Sequence, residues 1–269
     1  MLAIERRKLI LEQLHREKRV VVSELSRKFS VSEETIRRDL EKFEKDDLVT
    51  KSYGGAVLKE DVGAEMPFKD RKKRNMLGKR VIGDILSEII RDGDHILLDP
   101  STTALSIVKA LRSEGKKDLT IITNSLEVLV ECAEDSDWEV ISTGGILQAE
   151  KYALVGPKAI AGIESFHADK AIISCKGFDM EKGLTDINDM FSQVKQTMLK
   201  NATRRILAVD YTKIDQIGFS RICGAEDIAL VVTALQTPDA WARSMNATGV
   251  VRFWGYAIPR IRTCPYNGG

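Results

Sequence analysis

Ser32, Glu34, Thr35, Arg37 and Arg38 form one chemically legible set. An arginine can bridge the two acceptors on a guanine edge, a glutamate can accept from cytosine, and a threonine can touch a phosphate or a thymine methyl. Ile36, Leu40 and Phe43 recur at i, i+4 and i+7 through the same stretch, the spacing of one helix face. At about 100° per residue, Glu34 and Arg38 then point nearly opposite that face, with Thr35 and Arg37 on its flanks. Ser32 is a good N-cap for this helix. On an isolated helix the same composition reads as a solvated surface, so the surrounding elements must decide.

A second set stands where apolar runs end: Asp99, Ser101, Thr102 and Thr103, then Asn124 and Ser125, Gly144 and Gly145, Lys176, and Lys213. Hydroxyls and free backbone N–H groups at a helix start make an anion site. Glycines allow close backbone approach, and the lysines bring positive charge. Phosphate is the natural guest.

The first set needs short helices around it. Ile4, Ile10, Leu11 and Leu14 give an apolar stripe over Ile4–His15, and a basic break follows at Arg16–Arg19. Val22, Leu25 and Phe29 repeat helical spacing, and a turn of a few residues leads to Ser32. This is the pattern of a helix-turn-helix, whose second helix places its N-terminal residues in the major groove. Leu48–Val57 reads as two extended runs around a turn, a wing on which Lys51, Ser52 and Tyr53 would meet phosphates.

The second set needs a sheet. Extended runs at His95–Asp99, Leu119–Thr123, Trp138–Ser142, Lys170–Ser174, Arg205–Asp210 and Ile228–Thr233 alternate with helical stretches. Strands rich in Ile, Leu and Val between helices imply a mostly parallel sheet with helices on both faces. Ligands of such sheets bind at the carboxyl ends of the strands. The fold class is therefore α/β, with a small N-terminal winged helix-turn-helix domain ahead of that sheet. The expected divisions are a DNA-binding domain over 1–58, a charged linker over 59–76, a sensing domain over 77–233 and an atypical segment over 234–269.

Charge supports this split. Residues 1–80 hold 21 Lys+Arg and 15 Asp+Glu, a balance of +6; the remainder holds 20 and 25, a balance of −5. Only the front is built to meet a polyanion. Cys132, Cys175, Cys223 and Cys264 form no C-x-x-C pair and the chain has three histidines, so no metal, disulfide framework or cofactor is expected. No apolar run approaches the roughly 18–20 residues that cross a bilayer, and no secretory signal opens the chain. A reduced cytoplasmic protein without a membrane partner is the expectation.

Val31-Ser32-Glu33-Glu34-Thr35-Ile36-Arg37-Arg38-Asp39-Leu40, preceded by Arg7-x-x-x-Leu11, resembles the N-terminal signature of the DeoR family of bacterial sugar-metabolism regulators. Gly54-Gly55-Ala56 is similar to the family's wing, with Lys51 and Tyr53 where Arg and His are usual. Asp99–Thr103 resembles the family's Asp-x-Gly-Thr-Thr loop, Ser101 replacing the glycine and narrowing the space over a phosphate. Gly183-Leu184-Thr185 and Asp210-Tyr211-Thr212-Lys213 also match. The resemblance, over about residues 1–233, implies a sensor domain similar to ribose-5-phosphate isomerase that places Thr102, Thr103, Asn124, Ser125 and Lys213 near a phosphorylated sugar. From Ala234 onward there is no Lys or Glu and the likeness ends. Part of that segment is read as a poorly ordered tail or a shifted reading frame, with a partner-binding segment as the functional alternative, and no site is assigned to it.

The expected function is a non-enzymatic regulator, a repressor of a carbohydrate operon. Its partners would be double-stranded operator DNA, a phosphorylated sugar, and further copies of itself in a dimer or tetramer. The alternative is an aldose–ketose sugar-phosphate isomerase, with Asp99, Asp186 or Asp210 as the base that such chemistry needs.

Overall fold

The computed structural model describes residues 2–45, 48–58, 66–134, 137–234 and 251–254. The chain divides into two compact units, Met1–Met76 and Leu77–Gly269.

The first unit contains α1 (Ala3–Glu17), β1 (Arg19–Val21), α2 (Val22–Phe29), α3 (Glu33–Lys45), β2 (Val49–Ser52), β3 (Gly55–Leu58) and α4 (Phe68–Lys73). The helices bury the stripes that their periodicity marks: Ile10, Leu11 and Leu14 from α1, Val22 and Leu25 from α2, Ile36, Leu40 and Phe43 from α3. Ser30 closes α2 in the left-handed region (φ 53°), and the Ser26 hydroxyl donates to the Val31 carbonyl at 2.7 Å, which fixes the turn into α3. The basic break is not wholly a loop. Arg19–Val21 forms β1 and pairs antiparallel with β3, giving a sheet of order β1-β3-β2. Three residues are too short for a period-2 pattern to announce itself. Gly55 is required by that pairing, because a Cβ there would lie 2.0 Å from the Val20 carbonyl oxygen. Within the stretch read as linker, residues 59–65 lie outside the described residues, and α4 buries Phe68.

The second unit runs α5 (Met76–Ile89), β4 (His95–Leu98), α6 (Thr102–Ser113), β5 (Thr120–Thr123), α7 (Leu126–Cys132), β6 (Glu139–Ser142), β7 (Ile146–Gln148), β8 (Ala153–Val155), α8 (Pro157–Glu164) and β9 (Ala168–Ile173). It continues through β10 (Gly177–Asp179), β11 (Gly183–Asp186), α9 (Asp189–Lys200), β12 (Ala202–Ala208), β13 (Ser220–Cys223), β14 (Leu230–Thr233) and β15 (Val251–Trp254). Seven strands form one parallel sheet in the order β15-β14-β12-β9-β4-β5-β6. Alternate side chains of one strand enter different cores: Ile96 and Leu98 pack with α5 and α6, Leu97 with α8 and α9. Both faces are thus covered, as the apolar runs require. The antiparallel pair β7-β8 and the sheet β10-β11-β13 stand beside the main sheet.

The final segment contributes a strand, β15, pairing Leu230 with Val251 and Thr233 with Trp254. Val, Phe and Trp favour extended backbone, and β14 offers them an edge. The rest of that segment, residues 235–250 and 255–269, lies outside the described residues.

Candidate functional site

The first candidate surface is α3 with the β2-β3 wing. Ser32 caps α3, its hydroxyl oxygen accepting from the Thr35 N–H at 3.2 Å and lying 2.9 Å from the Thr35 hydroxyl. Arg37 and Arg38 are exposed and pair with Glu33 at 2.7 Å and Glu34 at 3.3 Å, each one turn back. Tyr53 is fully exposed and Ser52 is exposed beside it. Lys51 behaves differently from the expectation that it simply faces phosphate. Its ammonium lies 3.1 Å from Glu44 and 3.3 Å from Glu41, tying β2 back to α3. The Glu44 bond is the main cause that holds this lysine above its ordinary pKa.

Angular arithmetic misses the residue between Arg38 and Leu40. Asp39 is buried, with Arg6 Nε 2.7 Å from one carboxylate oxygen and Arg7 Nε 3.7 Å from the other. A charged residue next to an apolar stripe position is the only sequence signal of this role, and its partner is 33 residues away.

The second candidate site is the carboxyl edge of the parallel sheet. Strand order sets Asp210, Ser174, Asp99, Asn124 and Thr143 side by side after β12, β9, β4, β5 and β6. Ser101 caps α6 by accepting from the Ala104 N–H at 3.0 Å, and Ser125 caps α7 by accepting from Val128 N–H at 3.2 Å. Thr102 and Thr103 open α6 and are buried. Gly145 (φ 120°) is confined, since a Cβ would lie 2.7 Å from the Val155 carbonyl. Four spacings of about 4.8 Å separate β12 from β6, roughly 19 Å. The strand arrangement therefore groups Asp99–Thr103 with its neighbours but leaves Gly144–Gly145 and Lys213 toward opposite sides. Asn124 and Ser125 are fully buried, and β8 covers them: the Asn124 amide donates to the Leu154 carbonyl at 2.8 Å, while its Oδ1 has no protein partner.

Lys195 lies at the centre of this edge and belongs to neither sequence set. Its ammonium bonds Asp186, sits 3.2 Å from Asp99 and donates to the Ser174 carbonyl at 2.8 Å. Burial pulls its pKa down, but the Asp186 and Asp99 carboxylates outweigh this and the net shift is upward. Asp99 also accepts from Ser174 N–H at 2.9 Å and Ser101 N–H at 3.3 Å. It is wholly buried, so it shapes the loop from within. A sequence signal existed: Lys195 interrupts the stripe Phe191, Val194, Met198 on the buried face of α9.

At the end of β12, burial would raise the Asp210 carboxyl, yet Lys213 first, then Lys79 and the Thr212 bonds, hold it below the usual carboxylate value. Lys79 is buried on α5 and, like Lys195, occupies an apolar stripe, with Ile82 and Leu86. Cys175 is buried close by and its thiol is pushed up by that burial.

Both units match known families. The DeoR-like helix-turn-helix domain covers residues 6–62, and the DeoR C-terminal sensor domain covers residues 74–234. The chain belongs to the DeoR family. It is 38% identical over 233 residues to the uncharacterized HTH-type transcriptional regulator YulB of Bacillus subtilis, covering 87% of this chain and 89% of that one. It is 36% identical to the HTH-type transcriptional regulator GolR of Listeria innocua, covering 87% and 91%. The HTH-type transcriptional repressor GlcR of Bacillus subtilis is 30% identical, covering 91% and 94%. Two solved structures are similar at lower levels. The eIF2B delta of Chaetomium thermophilum has TM-score 0.46, 15% identity and coverage of 63% and 59%. Ribose 5-phosphate isomerase A of Neisseria gonorrhoeae has TM-score 0.38, 13% identity and coverage of 51% and 52%. This DeoR-family chain is thus a DNA-binding transcriptional regulator and not an enzyme. The carboxylates available to the isomerase alternative are engaged: Asp99 and Asp186 by Lys195, Asp210 by Thr212 and the nearby lysines. Among the described residues no helix is long and apolar enough to cross a membrane, and no cluster suited to a metal occurs.

Proposed function

We propose that the chain is a cytoplasmic, homo-oligomeric repressor of a carbohydrate-metabolism operon, released or engaged by a phosphorylated sugar. The observation that carries the effector half is the row of polar strand ends around Asp99–Thr103, where the start of α6 is flanked by buried lysine–carboxylate clusters. A helix start favours an anion, and the serine and threonine hydroxyls there can donate to phosphate oxygens. In this reading Ser101, Thr102 and Thr103 surround the phosphate. Lys213 and Lys176 reach it from the β12 and β9 side, the wholly buried Asn124 and Ser125 hold the neighbouring strand end in place beneath β8, and Gly144–Gly145 closes the far side. Asp99 acts through the loop it holds.

The DNA half assigns base edges to Glu34, Thr35, Arg37 and Arg38, and phosphates to Ser32, Ser52 and Tyr53, with Lys51 buttressing the wing from β2. Residues 1–58 would read DNA, 59–76 connect, and 77–233 sense the effector. Two copies would place two reading helices on paired half-sites. The effector shifts the balance between DNA-competent and DNA-incompetent arrangements by its difference in affinity for them, and DNA changes effector affinity reciprocally.

The test is fluorescence anisotropy at fixed salt, comparing the duplex upstream of the protein's own gene with a random duplex, then titrating a panel of sugar phosphates. Sequence-dependent binding altered by one phosphorylated sugar supports the reading. Binding that no phosphorylated sugar alters removes the effector half.

A further inference from the structure

Arg37 Nη2 lies 2.7 Å from Glu33 Oε2 one turn earlier on α3, and Arg38 repeats the relationship with Glu34 at 3.3 Å. The four side chains are 46–74% exposed, so these pairs contribute little to stability. Helix α3 carries Glu33, Glu34, Asp39, Glu41 and Glu44 against Arg37, Arg38, Lys42 and Lys45. A helix placed to face a polyanion thus holds more acid than base. Asp39 is answered by Arg6, and Glu41 and Glu44 are answered by Lys51. Glu33 and Glu34 remain on the reading surface itself.

We propose that Glu33 is a specificity-determining residue: it pre-aims Arg37 at a guanine-bearing base pair and penalises contact with random sequence. The inference rests on the reading of α3 as the DNA-contacting helix. A guanidinium has five N–H donors in a fixed fork. The Glu33 bond engages one of the two N–H donors on Nη2; the other remains, parallel to a neighbouring N–H of the fork, for a bidentate contact with guanine. It also removes rotamer freedom that Arg37 would otherwise lose on binding. On random DNA Arg37 meets only phosphates, and the Glu33 carboxylate, within a Debye length of about 8 Å, is repelled by them. Glu33 therefore weakens nonspecific binding while its cost on the operator is offset by the ordered arginine.

The experiment compares a duplex selected by the wild-type protein from a random pool with a scrambled duplex of equal length, at fixed salt. Glu33→Gln is expected to tighten the scrambled duplex on the order of threefold, the scale of one exposed ion pair, while leaving the selected duplex nearly unchanged. Glu33→Asp keeps the charge but shortens the reach to Arg37, so it should weaken the selected duplex and leave the scrambled one alone. Equal tightening of both duplexes by Glu33→Gln, or no change in either, overturns the proposal. Arg37→Ala, run in parallel, separates the two levels: if it leaves discrimination intact, the reading of α3 as the contacting helix fails first.

Discussion

The Arg6 guanidinium and the Asp39 carboxylate meet at 2.7 Å inside the helix-turn-helix unit, each with less than a tenth of its side chain exposed. The pair joins α1 to α3 at the residue that follows Arg38. Apolar contacts between these helices tolerate sliding, whereas a charged pair is directional and specifies one register. Asp39→Asn should destabilise this unit by about 3–5 kcal/mol, since it leaves the buried Arg6 charge unanswered, and Arg6→Met should cost less, since Arg7 still stands 3.7 Å from Asp39. Arg6→Met combined with Asp39→Leu should recover most of that loss. Denaturant unfolding of the three variants checks this, and a double variant no better than the singles would refute it.

Arg38→Ala should cost about 1–3 kcal/mol on the specific duplex if the side chain makes a base contact, and much less on random DNA. Anisotropy titrations against both duplexes measure the difference. An unchanged preference for the specific site would remove Arg38 from the contacting set.

Lys195→Met leaves the buried Asp99 and Asp186 carboxylates without their ammonium. The sensing unit should lose about 3–5 kcal/mol of stability, the usual cost of breaking one side of a buried pair. The helix-turn-helix unit should be untouched. Calorimetry that resolves two transitions would show one moving and the other fixed.

Lys213→Ala should reduce the effector response while ligand-free DNA affinity stays nearly intact. Measuring both on one preparation is sufficient. Equal loss of the two would mean damaged folding and not a lost phosphate contact.

The Asp210 carboxyl has its folded pKa held below the ordinary value near 4. The unfolded chain therefore binds more protons in mild acid, and stability rises with pH there. The contribution is complete above the ordinary carboxylate range and is lost as pH falls through the lowered folded value. Asp210→Asn should flatten this acid limb in denaturation midpoints followed from neutral pH downward. An acid limb as steep as wild type would assign the dependence to other carboxylates.

Much of this protein is determined by local pattern. Helix α3 follows from Ile36, Leu40 and Phe43, because a 3.6-residue period marks a buried face without reference to any partner. The parallel sheet follows from apolar runs separated by helices, because strands covered on both faces must be apolar throughout. What only tertiary structure decided are the pairings between distant residues. β1 depends on β3 for its existence, β15 on the open edge of β14, and the burial of Asn124 on β8 folding over it. Lys195 in an apolar stripe signals an unusual lysine, but Asp99 and Asp186 become its partners only when β4, β11 and α9 converge. Arg6 and Asp39 each look like ordinary surface charges in the sequence. A buried charge is tolerated only beside its counterion, and the counterion's position is set by the folding of the whole unit.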